Sequence, residues 1–268
     1  MMTPDPRLPR LAVPSAYRLE LTPDLESHAF TGTVAIDLEV LSTTDHLVLN
    51  AIELDIHTAT ITFEDEHHVA TTALDPVTER LTLTLDDGIA AGPATVHLSF
   101  TGTLNDQLHG FYRSTYTDAE GLERTIATTQ FQSTDARRCF PCWDEPEYKA
   151  SFETVLVVDP SHLAIANTAE VERHLGDDGR AHVRFAPTMP MSTYLVAFVV
   201  GPLEATEAID VDGVPVRVVH RPGKAHLTTF ALDVARHALG WFSTYYACLL
   251  YTSPSPRDQR GSRMPSSA

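Results

Sequence analysis

Apolar side chains recur at every second position through most of the first two hundred residues, and this pattern fixes the class of fold. Tyr17, Leu19 and Leu21 alternate with polar residues, as do Val34, Ile36, Leu38 and Val40. Leu81, Leu83 and Leu85 repeat it, and so do Val96, Leu98 and Phe100. Successive side chains of a strand point to opposite faces, so each run carries one apolar face and one wet face. Turn-forming groups separate the runs: Asp86-Asp87-Gly88, Gly92-Pro93, Asp177-Asp178-Gly179 and Asp212-Gly213. Residues 155–158 and 194–200 are more continuously apolar, which predicts strands covered on both faces. Roughly a dozen strands and no long helix before position 225 predict a mostly β fold, saddle-like or sandwich-like.

The periodicity changes after Pro222-Gly223. Leu227, Phe230, Val234, Ala238, Trp241, Phe242 and Tyr245 recur at spacings of three and four, which predicts an amphipathic helix over 225–247 with its stripe packed into a core. Residues 214–219 read as a strand before it. From Cys248 to Ala268 the chain is rich in Ser, Pro and Arg, and the helical pattern stops without a cap. That stretch is expected to be disordered or non-native, because it reads like translated sequencing adapter joined to a truncated gene.

Charge and cysteine usage narrow the class of function. Asp plus Glu number 36 against 19 Lys plus Arg, a net charge of −17. Such a surface repels phosphate backbones, so no nucleic-acid partner is expected, while cationic groups such as peptide amines are attracted. No stretch approaches the roughly 20 apolar residues of a membrane span, so no membrane partner is expected. The first 17 residues hold four prolines and no apolar run, unlike a signal peptide. Three cysteines do not make a disulfide framework, and the location expected is cytoplasmic.

The most specific block runs from Thr128 to Pro146, TTQFQSTDARRCFPCWDEP. Gly110-Phe-Tyr-Arg-Ser114 precedes it, and Met191-Ser-Thr-Tyr-Leu-Val-Ala-Phe-Val-Val-Gly201 follows. In this order and spacing the three resemble the N-terminal domain of the aminopeptidase N family of zinc metallopeptidases, over roughly residues 8–247. The resemblance implies a saddle-shaped β domain that caps a thermolysin-like catalytic domain, in an enzyme that removes N-terminal residues from peptides. It also implies that Gln130 and Gln132 lie on a loop reaching into the catalytic cleft and bind the substrate's α-amine. An ammonium offers three donors and no acceptor, so side-chain carbonyl oxygens match it. Alternation places both side chains on one face of an extended segment. Asp135, Arg137 and Arg138 are expected to pin this loop through bidentate ion pairs. Phe140, Pro141, Cys142 and Trp143 read as an apolar plug, and Asp144-Glu145-Pro146 as a turn or helix start.

The family's zinc site is His-Glu-x-x-His on a helix with a later glutamate, and none of the thirteen histidines stands in that arrangement. Its Gly-x-Met-Glu-Asn strand is also missing from this sequence. The resemblance therefore implies zinc in a full-length parent and none held catalytically by this chain, which would pack against its own catalytic domain. The divisions expected are 1–205 for the β domain, 206–247 for the start of the catalytic domain and 248–268 for the tail. Two other readings compete. Cys139-Phe-Pro-Cys142 has the spacing of a redox motif, although no βαβ pattern precedes it. A free-standing β-sandwich binding module would have no need of the 128–146 block, and Glu64-Asp-Glu-His-His68 reads as a solvated loop rather than a metal site.

Overall fold

The computed structural model describes residues 7–247. The chain divides into two compact units, Met1–Tyr116 with Glu123–Gly201, and Thr117–Leu122 with the chain from Pro202.

The first unit is built around an eight-stranded sheet. In spatial order its strands are β13 (Glu170–Leu175), β14 (Ala181–Phe185), β11 (Ser151–Val158), β1 (Ala12–Asp24), β2 (Ala29–Val40), β8 (Gly92–Thr103), β4 (Leu54–Phe63) and β5 (Glu66–Val69). Only β1 and β11 run parallel; the other neighbours are antiparallel. A three-stranded sheet holds β3 (Thr44–Asn50), β7 (Arg80–Ile89) and β6 (Thr71–Asp75). A four-stranded sheet orders β12 (Leu163–Ala166), β15 (Phe198–Gly201), β10 (Glu123–Gln130) and β9 (Gly110–Thr117). The fold is mostly β, as the alternation predicts.

Every alternating run identified in the sequence buries the expected face. Tyr17, Leu19, Leu21, Val34, Ile36, Leu38, Leu81, Leu83, Val96, Leu98 and Phe100 all fall in one continuous core. Two glycines explain how large rings fit between β2 and β8. Gly32 stands opposite Phe100 and Gly102 opposite Phe30, and a Cβ at either glycine would collide with the facing ring. Each ring therefore lies over bare backbone, an aromatic-on-glycine pairing that pins the register. Tyr17 stacks on Phe152 with ring centroids 4.7 Å apart, which ties β1 to its parallel neighbour β11.

Several local expectations need correction. Asp86-Asp87-Gly88 is not a turn; it lies inside β7, where Thr44 pairs Ile89 but His46 pairs Thr84. The surplus residues form a bulge, which accepts the same small and polar residues as a turn. Residues 194–200 are not one covered strand. Thr193–Leu195 is a 3-10 turn, and exposed and buried residues then alternate into β15.

The second unit, among its described residues, pairs β16 (Glu204–Ala205) with β19 (Val219–His220), and β17 (Ile209–Val211) with β18 (Val214–Val216). The single strand expected over 214–219 is thus two. Thr206 exchanges hydrogen bonds with Val218, its N–H donating to Val218 O at 2.9 Å and its Oγ1 accepting from Val218 N–H at 3.0 Å. That exchange moves the chain from one partner strand to another. The helix expected over 225–247 is a 3-10 turn at Ala225–Leu227 followed by α1 (Thr229–Tyr245). The Thr228 hydroxyl donates back to Ala225 O at 2.7 Å, closing the short turn and separating the two. Its apolar stripe is not core packing: α1 buries no residue, with Phe230 79% and Trp241 51% exposed. The two short ladders of this unit are too small to cover it. No helix among the described residues is long and apolar enough to cross a membrane, and residues 248–268, assigned above to a tail, lie outside the described residues.

Candidate substrate-amine site

β10 ends at Gln130, and the next residue sets the geometry of the site. Phe131 is buried and packs edge-on against Phe140 and Phe198, at centroid distances of 6.0 and 6.2 Å. Phe131 points inward between two outward residues, and Gln130 and Gln132 are both exposed. The Gln130 Nε2 donates to the Gln132 backbone oxygen at 3.4 Å. The pair is electrically neutral, and its carboxamide oxygens are potential acceptors for a cationic donor.

The chain then turns back on itself and is tied down. Asp135 N–H donates to Phe131 O at 2.9 Å, and a 3-10 turn follows at Ala136–Arg138. The bidentate pairs expected for Asp135, Arg137 and Arg138 are absent. Asp135 meets Arg138 through one contact, Oδ1 to Nε at 2.9 Å. Arg137 turns the other way, donating from Nε to Asp144 Oδ2 at 3.0 Å and from Nη1 to Glu79 Oε2 at 2.8 Å. Arg138 also meets Glu53 at 2.5 Å, and its Nη2 comes within 3.8 Å of the Glu79 carboxylate that Arg137 holds, so the two guanidinium groups share Glu79.

Asp144 is the centre of this anchoring. Its side chain is 1% exposed, its Oδ1 accepts the Thr193 hydroxyl at 2.5 Å, and its N–H donates to Asn50 Oδ1 at 3.2 Å. Ser192 Oγ donates to Pro146 O at 3.0 Å. The 128–146 and 191–201 blocks are thus bonded to each other beneath the glutamine loop. The Gly110 block joins them. Gly110 has φ +67°, and a Cβ there would lie 3.0 Å from Arg138 Cβ. Asn50, Glu53 and Glu79 complete the support through Asp144, Arg138 and Arg137, and no local pattern points to them because each arrives from a distant strand or turn. Thr193 carried one signal, its place within the 191–201 block.

Cys139 and Cys142 belong to the plug. Both are free and fully buried beside Phe140 and Trp143, and burial pushes each thiol well above its ordinary pKa. A redox dithiol requires an accessible thiolate, so the burial overturns the redox reading. In a Cys248→Ser variant, Ellman's reagent is expected to find no reactive thiol in the native protein and two after denaturation. A fast-reacting native thiol would restore the redox reading. Among the described residues, no three His, Cys, Asp or Glu side chains gather as a metal site. Glu64 and Asp65 form the tip of the β4–β5 hairpin, His67 bonds Thr62 at 2.7 Å, and His68 stacks on Phe63.

A multi-sheet β domain that anchors an exposed carboxamide pair on a rigid loop is the class of protein this geometry defines. Residues 13–195 match the Peptidase M1 N-terminal domain. The chain therefore belongs to the M1, or aminopeptidase N, family of peptidases, in its N-terminal portion. Aminopeptidase M1-A of Oryza sativa subsp. japonica is 43% identical over 246 residues, 90% of this chain and 28% of that protein. Aminopeptidase M1 of Arabidopsis thaliana is 41% identical over 248 residues, 91% of this chain and 28% of that protein. Endoplasmic reticulum aminopeptidase 1 of Homo sapiens is 35% identical over 246 residues, 90% of this chain and 26% of that protein. The chain spans little more than a quarter of the length of these relatives.

Proposed function

We propose that this chain supplies the α-amine grip of a zinc-dependent, cytoplasmic aminopeptidase acting on peptides with a free N-terminus. The observation that carries the reading is the outward pair Gln130 and Gln132, held by the buried Phe131 between them. Two carboxamide oxygens on a braced loop can accept from one ammonium, and bracing of the backbone lowers the ordering cost at binding. The matched relatives are named as aminopeptidases, which favours that chemistry over a free-standing binding module.

The donor sets among the described residues do not fit a catalytic zinc, so no bond-breaking step is assigned to them. In this reading residues 1–205 are the cap, 206–247 begin the catalytic domain, and the zinc and its water-activating glutamate belong to a longer parent. The exposed stripe of α1 would pack into the remainder of that domain. The chain alone hydrolyses nothing; turnover of an amino-acid anilide by purified chain holding one equivalent of zinc would refute this.

The amine grip is tested in the full-length enzyme by Gln130→Ala and Gln132→Ala. A hydrogen bond to a charged group is worth about 1.5–3 kcal/mol, so each variant should lose about tenfold or more in kcat/KM, mostly through KM. Unchanged kcat/KM in both variants would remove the pair from the site.

A further inference from the structure

We propose that His174 and His182 form a binding site for a divalent transition cation that prefers imidazole, such as copper(II), nickel(II) or zinc(II). The two residues are direct partners across the β13–β14 ladder. Ala181, Val183 and Phe185 of β14 point into the core, so His182 and its partner share the outer face. Their rings stand 5.1 Å apart and within 14° of parallel.

Each ring also has a carboxylate near one of its nitrogens. Glu172 Oε1 lies 3.6 Å from His174 Nδ1, and Asp178 Oδ1 lies 3.9 Å from His182 Nε2. Both carboxylates are held by bonds of their own. Glu172 Oε2 accepts from Arg184 at 2.7 and 3.0 Å, and Asp178 Oδ1 accepts the Arg180 N–H at 3.0 Å. At these distances neither carboxylate is hydrogen-bonded to its ring, but each stands beside the nitrogen where such a bond fixes the tautomer of a metal-ligating histidine. With those bonds made, His174 Nε2 and His182 Nδ1 are the nitrogens offered to the ion. The His174 ring is more than half exposed and can turn from stacking to chelation without disturbing the core. Two protein nitrogens leave the rest of the shell to water, so the ion is exchangeable, and copper(II) binds more tightly than nickel(II) or zinc(II). This site is separate from the glutamine loop and implies binding without hydrolysis.

The test is calorimetric titration of the whole 268-residue chain with copper(II) and nickel(II) in a weakly coordinating buffer. One saturable equivalent is expected. His174→Asn and His182→Asn should each weaken it at least tenfold, and Glu172→Gln by about tenfold. A His67→Asn/His68→Asn control should bind like the parent. Unchanged binding by a folded His174→Asn/His182→Asn double variant, or no saturable binding by the parent, would overturn the proposal. Should the double variant not fold, copper(II) broadening of the parent's NMR signals decides: broadening centred on β13–β14 supports the site, and broadening centred elsewhere refutes it.

Discussion

Asp144→Ala is expected to lower the unfolding free energy of the first unit by about 3–5 kcal/mol, the cost of removing one partner from a buried ion pair. Three donors lose their acceptor at once: Arg137 Nε, the Arg137 N–H at 3.4 Å and the Thr193 hydroxyl. Arg137 keeps Glu79, but its side chain is only 11% exposed, so water cannot replace what is lost. Thr193→Val removes a single hydroxyl from the same network and should cost about 1–3 kcal/mol, the penalty of one buried polar group left unpaired. Both residues share the Asp144 carboxylate, so the two substitutions should not add, and a double-mutant cycle should return a clear coupling. Urea unfolding with unchanged m-values reads all three. If Asp144→Ala proves no more costly than Thr193→Val, the carboxylate is not the anchor of the loop. Native domains are stable by only about 5–15 kcal/mol, so this one side chain carries a large share of what keeps the glutamine pair in place.

The reach of the sequence differed sharply between local and distant features. Val34, Ile36 and Leu38 were legible as an inward face because strand alternation is a local property. The exposure of Gln130 and Gln132 was legible from the same local pattern, with Phe131 as the inward residue between them. Asp86-Asp87-Gly88 was misread because a bulge and a turn accept the same residues, and only the partner strand β3 decides between them. Arg137 was rightly expected to make ion pairs, yet Glu79 stands 58 positions away in sequence and nothing near Arg137 points to it. The stacked histidines were invisible for a related reason: their meeting depends on the register of β13 against β14. The stripe of α1 was visible as a pattern, but a pattern does not say whether a covering surface exists.

That stripe gives the second large effect. Leu227, Phe230, Val234, Trp241, Phe242 and Tyr245 are all exposed, and Trp241 stacks on Tyr245 at 4.9 Å to form a continuous aromatic strip. Burying a large apolar side chain is worth about 1.5–3 kcal/mol, so several together outweigh the ordering cost of association at modest concentration. A contiguous exposed patch of this kind marks an interaction surface or an aggregation liability. The whole chain is therefore expected to self-associate reversibly in sedimentation velocity at tens of micromolar and to enhance the fluorescence of an apolar dye. Phe230→Gln with Trp241→Gln should return it to a monomer and abolish most of the dye signal. The unfolding of the first unit should be unchanged, because neither residue enters its core. A parent chain that stays monomeric and dark to the dye across that range would show that the stripe is covered in solution. The demand for an apolar partner, on which the cap reading of this chain leans, would then disappear with it.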